Sequence, residues 1–112
     1  MNVFSHLSQL RAFERKHLPH LITRDDCDIV RVIGLYQERK KPLLLRQLFL
    51  ERVSSYATVT RRLARLRELG YVTGNCGLDK RSVLLSLSPQ LVKIYVRYGA
   101  LLKTLAASPT VK

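Results

Sequence analysis

The chain is poor in acids, in cysteine and in long apolar runs, and each scarcity excludes something. Eight Asp and Glu stand against 20 Lys and Arg. Ser, His and Asp all occur, but no spacing organises them into a nucleophile with its base or a carboxylate pair. His17 and His20 are three apart, yet Pro19 lies between them and no Cys or acid completes a metal set. Cys27 and Cys76 are too few and too far apart for a disulfide framework. No apolar run approaches the roughly 20 residues of a membrane span, and the N-terminus lacks the apolar core of a secretory signal. The expectation is a cytoplasmic, non-enzymatic protein with no metal, no cofactor and no membrane partner.

What is present is basic charge. The 112 residues suit one domain with a small core, and 46% apolar content argues against disorder. The formal charge of +12 favours a polyanionic partner. It is unevenly placed. Residues 1–40 carry 7 basic against 5 acidic side chains, residues 41–81 carry 9 against 3, and residues 82–112 carry 4 against none. Half of the excess, +6, therefore sits in the middle third.

Residues 1–22 predict an N-terminal helix, with Val3, Phe4, Leu7, Leu10 and Phe13 at helical spacing and Pro19 closing it. Residues 23–88 predict the core. Thr23 and Asp26 have capping-box spacing, and Asp25, Asp26 and Asp28 suit a first helical turn. Capping accounts for these acids, so none is assigned a functional role. Cys27, Val30, Ile33, Leu35 and Tyr36 supply the apolar side, and Arg39, Lys40 and Lys41 end the helix. Pro42 then suits the start of a short helix, Leu43 to Val53, followed by the tight turn Ser54–Ser55. Two helices joined so briefly form a helix-turn-helix.

The next helix, Tyr56 to Leu69, holds the candidate site. At about 100° per residue, Val59, Leu63 and Leu66 share one side, while Ala57, Arg61, Ala64 and Glu68 share the other. Thr58, Thr60 and Arg65 border the outer side. Small residues permit close approach, Thr can touch a base edge or a phosphate, and Arg can read guanine through two hydrogen bonds. Ser54, Ser55, Tyr56, Ala57, Thr58, Thr60, Arg61, Arg62 and Arg65 are accordingly the candidate DNA contacts on this helix and its cap. Gly70 suits a C-cap. Two strands, around Tyr71–Thr73 and Val83–Leu87, form a hairpin whose tip holds Asp79, Lys80, Arg81 and Ser82. Lys80 and Arg81 can contact phosphates or a narrow minor groove. Cys76 lies in the same hairpin, where only Lys80 and Arg81 would favour a thiolate.

Ser88–Pro89 caps a last helix, 89–106, before a tail at 107–112. Leu91, Ile94, Tyr95, Tyr98, Leu101, Leu102 and Leu105 repeat at steps of three and four. With Leu7 and Leu10 they are the candidate dimerisation residues. The fold class expected is mainly α with a small β-hairpin: a winged helix-turn-helix whose terminal helices dimerise.

The run SYATVTRRLARLRELGYV, the tip Asp79-Lys80-Arg81-Ser82 and the strand end VLLSLSP together resemble the MarR family of winged-helix regulators. Thr60-Arg61 matches its recognition-helix pair, Leu66 and Gly70 its Leu-x-x-x-Gly turn, Asp79 and Arg81 its wing, and Leu85 to Ser88 its closing strand. The resemblance covers about a third of the chain, Ser54 to Pro89. It implies a homodimer on a pseudo-palindromic operator in double-stranded DNA, and repression relieved by a small-molecule effector, often phenolic, or by oxidation. The chain is shorter than typical members, has an abbreviated wing and shows no nameable ligand pocket. The runner-up reading is a winged-helix adaptor, or a plasmid or replication DNA-binding protein without operator-specific repression.

Overall fold

The computed structural model describes residues 2–76 and 83–107. Five helices and three strands follow in the order α1 (Val3–His17), α2 (Arg24–Glu38), β1 (Leu43–Leu44), α3 (Leu45–Leu50), α4 (Tyr56–Glu68), β2 (Val72–Cys76), β3 (Val83–Leu87) and α5 (Pro89–Ala107). The fold is mainly helical with one small antiparallel sheet, as expected. The chain divides into two compact units: Leu21–Leu91, and the residues up to His20 together with those from Val92 onward.

In the Leu21–Leu91 unit, local chemistry sets most element ends. Thr23 caps α2 reciprocally with Asp26: the Asp26 amide donates to Thr23 Oγ1 at 3.2 Å and the Thr23 amide to Asp26 Oδ2 at 3.1 Å. The other end of α2 closes with Lys41 N–H donating to Tyr36 O and Lys40 N–H to Gln37 O. That closure puts Lys40 at φ 56°, a left-handed position usually given to glycine. The same closure ends α4, with Tyr71 N–H on Leu66 O and Gly70 N–H on Arg67 O, and here glycine does occupy the left-handed site at φ 77°.

The third helix is shorter than the Leu43–Val53 segment expected. Leu43 and Leu44 are instead a strand, paired with Leu85 and Leu84 of β3. Pro42 disfavours helix at the residue before it. Leu43 is then buried as a sheet residue, and α3 begins only where Gln47 Oε1 accepts the Leu44 amide at 2.8 Å. Arg52, left-handed at φ 53°, lies just past its far end. The sheet order is β1-β3-β2, and β2 pairs with β3 from Val72↔Leu87 to Cys76↔Val83.

The core of this unit is a continuous apolar set. Ile29, Val30 and Ile33 of α2, Leu43, Leu48 of α3, Val59, Leu63 and Leu66 of α4, Val72, Leu85, Leu87 and Leu91 are all buried. Leu35, expected on the apolar side of α2, points outward, and Ile29 takes the inner place. Gly34 lets α2 lie close to the sheet, since a Cβ there would stand 3.3 Å from Leu87 Cδ1. Gln37 Oε1 then accepts the Leu87 amide at 2.9 Å.

In the other unit, Phe13 of α1 meets Tyr98 of α5 edge-on at 5.1 Å and His17 at 4.4 Å. The Tyr98 hydroxyl donates to Glu14 Oε2 at 2.9 Å. Burial lowers the His17 pKa, and the positive charges of Arg97 and Lys16 lower it further.

Candidate nucleic-acid interface

The site is the outer side of α4. Ser55 caps the helix, its Oγ accepting the Thr58 amide at 3.2 Å and its hydroxyl donating to Thr58 Oγ1 at 2.9 Å. Ser54 lies just outside the cap. Val59, Leu63 and Leu66 are buried beneath. The exposed residues are Tyr56, Ala57, Thr60, Arg61, Ala64, Arg67 and Glu68. The helix therefore presents a strip of small, hydroxylated and cationic side chains, and Glu68, in the last turn, is its one acid.

Tyr56 is 69% exposed, but its ring stacks on Phe49 of α3 at 4.4 Å with 29° between planes. This contact fixes the direction of its hydroxyl at the start of the helix. Arg67 runs across Gly74 of β2: a Cβ at Gly74 would stand 3.1 Å from Arg67 Cζ and Nη2. The missing side chain at Gly74 thus leaves a bed for an exposed arginine.

Arg62 and Arg65 face a different partner. Asp26, at the start of α2, is fully buried, and Arg62 grips it bidentately: Nε donates to Oδ1 at 2.7 Å and Nη2 to Oδ2. Arg65 Nη1 reaches Oδ2 at 3.5 Å. The Ile22 and Thr23 amides also donate to Oδ2, each at 3.1 Å. Burial pushes the Asp26 carboxyl up. The hydrogen bonds from Arg62 and the Thr23 amide outweigh that, helped by the charges of Arg62 and Arg65, and hold it below the ordinary aspartate value. The side chain of Arg62 is only 16% exposed and that of Arg65 27%.

No protein-family model matches the chain, and neither does any curated protein. Solved structures do. The S. aureus MepR–DNA complex superposes with TM-score 0.69 at 14% identity, covering 96% of this chain and 87% of that one. A mutant MarR from E. coli with operator DNA gives 0.58 at 20% identity, covering 89% and 70%. NadR in complex with 4-hydroxyphenylacetate gives 0.65 at 21%, covering 91% and 68%. The chain has a MarR-like winged-helix fold.

Within this winged helix, Ser55, Tyr56, Ala57, Thr60 and Arg61 lie together along the exposed strip and its cap. Ser54, Thr58 and Arg65 are half-buried beside it, and Arg62 is turned toward Asp26. Lys80 and Arg81, with Asp79 and Ser82, lie outside the described residues, as do residues 108–112 of the expected tail. Among the expected dimer residues, Leu91 is 0% exposed within the winged-helix core, so it has no surface left for a second subunit. Leu105 is also buried. Leu7 and Leu102 are exposed, and Leu10, Ile94, Tyr95, Tyr98 and Leu101 are half-buried. Two residues of consequence escaped the sequence reading. Arg67 belongs to the exposed strip, and Asp26 does more than cap. Arg67 could have been found from the glycine opposite it; Asp26 had no local signal, because its partner is 36 residues away.

Proposed function

We propose that this winged helix binds double-stranded DNA sequence-specifically and regulates transcription, as a homodimeric repressor. The observation that carries the reading is the exposed strip of α4, where Thr60 and Arg61 stand between Ala57 and Ala64. Small neighbours allow the helix to enter a major groove, Arg61 can read guanine bidentately, and Thr60 can meet a base edge or phosphate. Glu68 at the far end orients entry by the N-terminal turns. The net charge of +12 supplies the sequence-independent attraction to phosphates. Val3, Phe4 and Leu7 of α1 are exposed apolar side chains and support a dimer built on the terminal helices. Fold similarity to DNA complexes of MepR and MarR supports the same reading. NadR was captured with a phenolic acid, which supports a small-molecule effector here as well.

The test is selection of bound sites from a random duplex pool. A palindromic consensus is the expected result, with Arg61→Ala costing about 1–3 kcal/mol and relaxing the preference at one position. An unenriched pool would overturn sequence-specific binding.

A further inference from the structure

Four arginines lie on α4, and they are not equivalent. Arg61 and Arg67 are exposed, whereas Arg62 is held beneath the strip by a fully buried carboxylate. Two of its donor groups are spent on Asp26. For Arg62 to reach a phosphate, its guanidinium would have to leave that carboxylate buried with its main partner gone, which is strongly disfavoured. Arg65, at 3.5 Å from Oδ2, makes a longer contact.

We infer that Asp26 is a specificity-determining residue of the DNA-binding surface, acting through Arg62, which it withholds from the phosphate backbone. The inference rests on the DNA-binding reading above. Its logic is that phosphate contacts strengthen binding to every duplex alike, while base contacts discriminate. Specificity is the ratio of the two affinities, so a recognition helix rich in arginine gains discrimination when one of them is kept off the backbone. Asp26 does this from a neighbouring helix and without exposing an acid on the DNA side. The same bond fixes the roll of α4 over the start of α2, and so the direction in which Arg61 points.

The test is the salt dependence of binding by the full chain to a selected site and to a random duplex of equal length, between about 50 and 200 mM salt. Each phosphate contact contributes about 0.9 to the slope of log affinity against log salt. Arg62→Gln is expected to leave the slope on random duplex at the wild-type value, whereas a slope lower by about 0.9 overturns the inference. Asp26→Asn frees Arg62. It is expected to steepen the slope by about 0.9, to tighten random-duplex binding and to lower the specific-to-random ratio. A merely structural Asp26 would lower both affinities together with no change of slope, and that result also overturns it. Where either single variant fails to fold, Asp26→Asn/Arg62→Gln keeps a neutral hydrogen bond between the helices. It must then show the wild-type slope, and a lower one decides against the inference. Wild-type protein that binds no duplex would overturn the DNA-binding reading itself; wild-type binding with a lowered Arg62→Gln slope overturns only the role of Asp26.

Discussion

Asp26→Ala is expected to be among the most damaging single substitutions outside the apolar core. The side chain is fully buried and accepts from Arg62 twice, from Arg65 and from the Ile22 and Thr23 amides. Truncation leaves a largely buried guanidinium without its counter-charge, and breaking a buried pair by removing one partner costs about 3–5 kcal/mol. Half of the capping box goes with it, but Thr23 Oγ1 still caps the Asp26 amide position, so only a fraction of the usual ~1 kcal/mol is added. Arg62 can turn partly to water, which favours the lower end, about 3 kcal/mol. The control is Asp28→Ala. Asp28 meets Arg24 at 3.8 Å and Arg31 at 4.0 Å on the surface, and such pairs contribute about 0.5 kcal/mol or less. Urea unfolding followed by helical circular dichroism, at two protein concentrations to separate any association, measures both. With a slope of about 1–2 kcal/mol per molar urea, the Asp26→Ala midpoint should fall by roughly 2 M and the Asp28→Ala midpoint should hardly move. An Asp26→Ala loss below about 1 kcal/mol would refute the reasoning, because it would mean that water satisfies the donors.

Other expectations concern single groups. The Asp26 carboxyl is held below its unfolded value of 3.8; the stability it gives is complete above that value and is lost as pH falls through the lower folded value, so acid unfolding of Asp26→Asn should be shallower than that of the wild type. Gly70→Ala meets no atom within 4 Å but must hold φ 77°, so it should cost about 1–2 kcal/mol from backbone conformation alone, read as a lower unfolding midpoint. Lys40→Gly relaxes the same left-handed strain at the end of α2 and should raise the midpoint by a few tenths to ~1 kcal/mol, the gain being reduced by the greater freedom of unfolded glycine. His17 should titrate below 6.5 by NMR, and Arg97→Ala should move it back upward in part.

The sequence made some parts of this molecule legible and hid others, for physical reasons. The outer strip Ala57, Arg61, Ala64 and Glu68 and the inner Val59, Leu63 and Leu66 follow from helical rotation alone, and both sides stand as read. Gly70 and Thr23 act through neighbours within five residues, so their caps were visible as well. Leu43 and Leu44 were hidden because a short Leu run fits a helix and a buried strand equally, and only pairing with Leu84 and Leu85 decides. Arg62 and Asp26 were hidden for a related reason: each had a sufficient local explanation, as a phosphate contact and as a cap. Leu91 continues the stripe of α5 perfectly, yet the core of the Leu21–Leu91 unit claims it. Periodicity identifies an apolar face but not what covers it.

The two-residue strand β1 also governs how copies of this protein can meet. An exposed sheet edge is a template on which another chain can add a strand, and proteins guard such edges by keeping them short and charged. Here the β1 edge is Leu43–Leu44, under about 7 Å of strand. Pro42, with no amide to offer, precedes it, and the exposed Arg39, Lys40 and Lys41 stand just before that. An incoming strand would find little ladder and a cluster of positive charge. Backbone pairing along this side of the sheet is thereby blocked, and self-association is left to side-chain packing elsewhere, a mode that closes on a defined number of copies instead of growing without limit.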